Sequence, residues 1–297
     1  MTRRRGDTNL DGADDKNRQY RIEEKEMSID VIDFEVIKAR QRAAWESGDY
    51  PRVGNTLQTI AERLVEAAEV HAGEKVLDVA CGQGNAAIAA ARRFADATGV
   101  DYATNLLAQG VERAQAEQVP VVFTEGDAEK LPFPAESFDV TLSTVGVMFA
   151  PDQPRAAAEL IRVTRPGGRI ALASWTPESP VGAMFATIGS FAPPPPGLKS
   201  PMVWGSVERL DELFGDRVEW VSITKRTFDF CYRSAAHFSE WFRLYYGPLN
   251  RLDASLDADG RTRFAAELAD VAQRFNRAKD GTLLAASEYL EVVAIRR

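Results

Sequence analysis

The chain has 297 residues, 45% of them hydrophobic, enough for one large α/β domain or two small ones around a substantial core. With 44 acidic against 36 basic residues the formal charge is −8; the only tight basic run is Arg3, Arg4 and Arg5, and there is no basic stripe of the kind that displaces counterions from nucleic acid. No apolar run approaches the roughly 20 residues needed to cross a bilayer and no apolar segment follows the basic start, so the expected address is the cytoplasm; Cys81 and Cys231, outside any CxxC pair, argue against a disulfide framework or a structural zinc site.

Residues 1–27 are polar, charged and nearly free of apolar periodicity, which predicts a disordered leader, with Met27 followed by Ser28 as an alternative start. Order is expected from about residue 29, where apolar residues recur through Phe34, Ile37 and Trp45. SGDYPRVGN (47–55) breaks that helix, and Leu57, Ile60, Ala61, Leu64, Val65 and Ala68 restart it at i, i+3, i+4, i+7 spacing. Strand-like and helix-like segments then alternate. KVLDVA (75–80) precedes a helix to about residue 95, ATGVD (97–101) a helix over 105–117, PVVFTEG (120–126) a turn-rich stretch, SFDVTLST (137–144) a helix over 153–164, and RPGGRIALASW (165–175) gives a turn and a fifth strand. Such alternation calls for a parallel sheet covered on both faces.

The last third differs: VEWVSITKRTFDF (218–230) and EYLEVVAIRR (288–297) read as long strands separated by helical material. The expected architecture is therefore a Rossmann-like, seven-stranded, mostly parallel sheet with helices on both faces and one late strand antiparallel. Its core is expected at 72–176 plus 218–230 and 288–297. Segments 29–70, 177–217 and 234–284 would form a lid of N-terminal helices and a C-terminal helical insertion. A proline run at 193–196 marks an irregular region of about 177–205.

The loop after the first strand reads VLDVACGQGNAAIAAA (76–91). Gly82, Gly84 and Ala87 satisfy the G-x-G-x-x-G/A spacing of a dinucleotide fingerprint, and Asp101 lies 19 residues beyond Gly82, where a ribose-binding acid is expected. Asp78, inside the strand, changes the reading. A pyrophosphate settles on a helix N-terminus because the exposed N–H groups and the macrodipole favour negative charge. A carboxylate there repels a phosphate and suits a ligand carrying an ammonium and a sulfonium, as S-adenosylmethionine does.

With that loop, VLDVACGQGN resembles the first motif of class I S-adenosylmethionine-dependent methyltransferases, D-x-x-x-G-x-G, and the resemblance continues through GVD (99–101), GDAEKLPFP (126–134), SFDV (137–140) and RPGG (165–168). Five segments over about 100 residues are matched, closest to small-molecule enzymes similar to ubiquinone and menaquinone C-methyltransferases. The resemblance implies roles for named residues. Asp78 would sit near the methionine end of the cofactor, with Ala80, Gly82 and Gly84 allowing close backbone approach. Asp101 would take both ribose hydroxyls, Tyr102 would flank the adenine, Asp127 would accept from the adenine amino group and the Ala128 N–H would donate to the ring. Ser143 would hold the ammonium through its carbonyl, and Tyr50 resembles the aromatic that many relatives lay over the cofactor. Taken singly, each acid also suits a cap, a strand-end turn or an Asx-turn, and Tyr50 a helix turn; the joint spacing carries the reading.

On the acceptor side, Phe238, Trp241, Phe242, Tyr245 and Tyr246 share one helix face, a pattern more often core than binding surface. If part of it lines a pocket, Trp241 and Tyr245 join Phe149 and Trp175, which follow the fourth and fifth strands where open α/β sheets bind ligands. Neither His71 nor His237 is assigned a catalytic role, and no metal site is read. The expectation is methyl transfer to a small acceptor, aromatic or quinone-like, at carbon or oxygen, with S-adenosylhomocysteine as product and neither nucleic acid nor an integral membrane segment involved. The alternatives are an NAD(P)-dependent oxidoreductase, supported by the glycine spacing alone, and a catalytically silent S-adenosylmethionine-binding protein.

Overall fold

The computed structural model describes residues 1–2 and 32–297, and Phe34–Arg297 forms one compact unit. The expected leader, the alternative start at Met27 and the onset of order near residue 29 lie outside the described residues. Among the described residues seven strands form one sheet in the order β3-β2-β1-β4-β5-β7-β6. They are β1 (Lys75–Val79), β2 (Asp96–Asp101), β3 (Val121–Glu125), β4 (Phe138–Thr144), β5 (Thr164–Trp175), β6 (Val218–Tyr232) and β7 (Leu283–Arg296).

The first five strands pair in parallel, and β7 runs antiparallel to both β5 and β6. Val76, Leu77, Val79, Val140 and Leu142 are buried, as strands covered on both faces must be. Chain order reverses between β1 and β4, and that switch point opens a crevice at their carboxyl ends.

The helices are α1 (Phe34–Trp45), α2 (Pro51–Gly54), α3 (Gln58–Ala67), α4 (Asn85–Ala91), α5 (Thr104–Ala116), α6 (Gln153–Val163), α7 (Pro180–Phe191), α8 (Val207–Phe214), α9 (Ala235–Tyr245), α10 (Gly247–Ser255) and α11 (Ala258–Arg274). Five of the later ones start on a side-chain cap: Asp152 accepts from the Arg155 N–H, Ser179 from Gly182, Ser206 from Arg209, Ser234 from His237 and Asp257 from Gly260. No helix among the described residues is long and apolar enough to cross a membrane.

Three expectations need correction. The break at 47–55 is shorter: Pro51 at the first helical position restarts the helix, and a 3₁₀ turn over Asn55–Leu57 joins it to α3. The region 177–205 is irregular only in part, over 192–200, since it also holds α7, whose start is written as Ser179 capping with Pro180 behind it. β7 begins at Leu283, five residues before the expected 288, because its register with β6 extends to Leu283 opposite Tyr232.

Candidate active site

The loop after β1 is held by two acids. Ala80 and Gly82 turn with φ of 53° and 54°, and Gly84, at φ 81°, precedes α4. Asp78 is 2% exposed, and its Oδ2 accepts the Ala87 N–H at 3.0 Å. Burial raises its pKa to about 7, helped by the charge of Asp101 and opposed by the amides of Ala86 and Ala87. Asp101, ending β2, accepts the Gly82 N–H on Oδ2 and the Ala103 N–H on Oδ1, each at 2.8 Å, so it shapes the glycine turn itself. Its pKa is also raised by burial, against those amide bonds. A carboxylate has about four lone-pair sites, so Asp101 keeps acceptor capacity towards the cavity.

A third acid closes the far end. Asp127 Oδ2 accepts from Lys38 Nζ at 2.6 Å and its Oδ1 from the Glu129 N–H at 2.9 Å. Lys38, on α1, also reaches Glu35 at 2.7 Å and the 2%-exposed Glu129 at 3.1 Å. Burial works against its charge, but these three carboxylates together hold its pKa above the ordinary lysine range. The helix α1 is thereby anchored over the cavity, and Gln83 and Asn85 tie the glycine loop to Asn55 and to the Gly54 carbonyl at 3.0 and 2.9 Å.

Lys38, Trp45, Tyr50, Asp78, Ala80, Cys81, Gly82, Asp101, Tyr102, Asp127, Ala128, Thr144, Val145, Gly146 and Phe149 all line this one cavity. Tyr50, Asp78, Ala80, Gly82, Asp101, Tyr102, Asp127 and Ala128, expected on the cofactor side, are thus brought together here with Phe149, expected on the acceptor side. Gly84 and Ser143 lie behind the wall. A Cβ on Gly84 would stand 2.7 Å from the Phe123 ring, so this glycine admits β3's aromatic against the loop. Ser143 is 1% exposed, and its hydroxyl bridges the Val79 carbonyl and the Val147 N–H.

The next residues reach the cavity instead. Thr144 Oγ1 is buried there without a partner, Val145 adopts φ 53°, and a Cβ on Gly146 would meet the Ala80 carbonyl oxygen at 2.3 Å. Two non-glycine residues at positive φ, Ala80 and Val145, therefore face one cavity, where backbone strain commonly gathers at function.

Beside it lies a smaller apolar chamber lined by Val53, Leu57, Trp175, Val181, Met184, Phe230, Phe242 and Tyr246. Trp45, Tyr50, Val145 and Phe149 border both spaces. The Trp45 ring meets Tyr50, Phe149 and Tyr246 edge-on at 5.5, 5.1 and 5.3 Å. Tyr50 and Tyr246 are the chamber's ionisable groups. Burial raises the first to about 12 and the second well above 10, so both stay protonated at neutral pH.

Trp175 lines this chamber, whereas Trp241 and Tyr245 do not. Trp241 faces an outer pocket, and Tyr245 stacks under the Arg52 guanidinium at 4.9 Å. Lys38, Trp45 and Thr144 were missed; Trp45 was visible as a periodic apolar residue, but nothing in the sequence ties Lys38 to Asp127, 89 positions away. Among the described residues no group of three or more His, Cys, Asp or Glu could hold a metal.

A family model described as a methyltransferase domain matches residues 77–172. An uncharacterised protein of Mycobacterium tuberculosis is 38% identical over 217 residues, spanning 70% of this chain and 77% of its own. Demethylmenaquinone methyltransferase of Deinococcus radiodurans is 35% identical over 130 residues, 42% of this chain and 53% of its own. The YcgJ protein of Bacillus subtilis shares the fold, with a TM-score of 0.56 at 22% identity over 80% of this chain and 98% of its own. The oxidoreductase reading, resting on glycine spacing alone, gives way: this chain belongs to the class I S-adenosylmethionine-dependent methyltransferases.

Proposed function

We propose that the chain methylates a small, flat, apolar acceptor, aromatic or quinone-like, at carbon or oxygen, with the acceptor in the aromatic chamber and S-adenosylmethionine in the acid-lined cavity. One observation carries the reading: Trp45, Tyr50, Val145 and Phe149 form a common wall between a cavity lined by carboxylates and a chamber lined by aromatic and aliphatic side chains.

The cavity residues fit that cofactor. Four carboxylates, Asp78, Asp101, Asp127 and Glu129, suit hydroxyl and amino donors and positive charge, and Thr144 offers an unpartnered buried hydroxyl. A pyrophosphate would face like charge from Asp78 and Asp101. We assign the ribose hydroxyls to Asp101, the adenine edge to Asp127 and Ala128 beside Tyr102, and the methionine end to Asp78, Ala80, Gly82 and Thr144.

The bound cofactor supplies a methyl group already activated towards displacement. The chain's part is alignment and exclusion of water. Tyr50 covers Gly82, whose added Cβ would lie 3.6 Å from the ring. Trp45 holds Tyr50 edge-on, and the chamber carries no group that is a base at neutral pH, so its residues orient the acceptor.

The test is calorimetric titration of the full chain with S-adenosylmethionine, S-adenosylhomocysteine and NAD in parallel, followed by labelled methyl transfer to phenols and quinones. Micromolar-scale binding of the first two without NAD is expected; binding of NAD alone would sink the proposal.

A further inference from the structure

A third space lies behind the chamber. It is lined by Thr56, Phe228, Asp229, Cys231, Tyr232, His237 and Trp241, and it meets the chamber at Phe230, which borders both. Its volume is about 310 Å³.

Phe230 is 3% exposed and stands in an aromatic stack, its ring 5.7 Å from Trp175 on the chamber side and 6.0 Å from Phe238 and Phe242 on α9. Phe230, within this stack, is the lining residue that the two spaces share. The outer pocket also holds an unanswered polar atom: the indole Nε1 of Trp241 is buried without a partner. An indole N–H donates only, so the group that satisfies it is an acceptor. The Tyr232 hydroxyl is likewise buried without a partner, while Asp229 pairs with Arg277 at 2.6 Å and His237 Nδ1 accepts the Arg233 N–H at 3.4 Å.

We propose that this outer pocket is a second subsite for the methyl acceptor. It takes the far end of an elongated molecule: an aromatic head in the chamber, an apolar tail past Phe230, and an oxygen at the tail's end that accepts from the Trp241 N–H. The acceptor then arrives from the side of β6 and α9, while the cofactor occupies the crevice over β1 and β4, so neither blocks the other. This inference rests on the chamber being the acceptor site.

The experiment uses the full chain saturated with S-adenosylhomocysteine, titrated with phenol, with 4-alkylphenols of one to six carbons, and with methyl esters of 4-hydroxyphenyl alkanoic acids of matching length. The dissociation constant is expected to fall by roughly fourfold per added methylene once the tail is long enough to pass Phe230. Trp241→Phe, which keeps an aromatic ring, though a smaller one, and removes the N–H, is expected to reduce the ester-to-phenol affinity ratio roughly fivefold. Thr56→Trp, a change at an exposed position on the pocket's rim, is expected to cancel the gain with chain length.

Constants that stay flat with chain length would overturn the proposal. So would Trp241→Phe weakening phenol as much as the longest ester, or Thr56→Trp leaving the chain-length gain intact. If the homocysteine product binds but no phenol does, this inference fails while the cofactor assignment stands. If that product does not bind at all, the underlying reading fails first.

Discussion

The acid-lined cavity and the aromatic chamber touch along four residues, yet they are made in opposite ways. The cavity comes mainly from the loops at the carboxyl ends of β1, β2, β3 and β4, where each acid is held by main-chain amides of those loops and the helix after β1: Asp78 by Ala87, Asp101 by Gly82 and Ala103, Asp127 by Glu129. The chamber is assembled from α2, the segments after β4 and β5, the start of α7, the far end of β6, and α9, and its walls are apolar side chains packed against one another. Directional polar bonds specify the first, and non-directional burial the second. A chain can therefore keep its cofactor while repacking its acceptor site.

Breaking the chamber should give the largest effect on stability and little on cofactor binding. Trp175, 3% exposed, contacts Phe228, Phe230 and Tyr289. Trp175→Ala should cost about 3–5 kcal/mol in urea unfolding. S-adenosylhomocysteine affinity of the folded variant should stay within about threefold, by the near-independence of sites without shared partners. A larger loss would mean the two regions do not separate.

The cavity should respond the other way. Asp101→Ala removes the acceptor of the Gly82 amide together with the assigned ribose contact. Cofactor binding should weaken by on the order of 1.5–3 kcal/mol, as for hydrogen bonds to a charged group, and calorimetry reads it directly. Unchanged affinity would withdraw the ribose assignment.

Lys38 joins the regions, since α1 carries both it and Trp45. Lys38→Met leaves the 2%-exposed Glu129 without its cation. A loss of about 1–3 kcal/mol in stability is expected, smaller at low pH, where Glu129 is protonated. A variant as stable as the parent would show that α1 is held by packing alone.

A separate effect is the pH dependence of Asp78. Its folded pKa of about 7 lies above the ordinary 3.8, so between those values the folded chain keeps a proton that the unfolded chain has lost. Stability from this group is present below about pH 4 and declines as pH rises towards 7. Asp78→Asn should flatten that decline, as thermal melts of both proteins between pH 4 and 8 would reveal. A cationic ligand favours the ionised carboxylate. S-adenosylmethionine affinity should then rise with pH by at most tenfold per unit and level off above about 7, with proton release detectable in buffers of different ionisation enthalpy.

The parallel half of the fold was legible because alternating strand and helix periods are local. So were the acids of the cavity, whose spacing in D-x-x-x-G-x-G and the following segments is itself a local pattern. Gly84 and Ser143 show the limit. The resemblance gives both a place at the cofactor, yet Gly84 backs onto Phe123 and Ser143 joins the end of β1 to the turn after β4, because strand pairing decides which of two successive residues faces the crevice.

By itself, the sequence determined the class of fold and the family, through periodicity and motif spacing, since main-chain geometry repeats wherever those patterns recur. Only the tertiary structure decided that Lys38 meets Asp127, that Trp45 and Tyr50 stand between cavity and chamber, and that Trp241 turns to an outer pocket away from the cofactor. Those contacts join residues from as few as five to nearly two hundred positions apart, and an apolar side chain carries no mark of which apolar partner will exclude water with it.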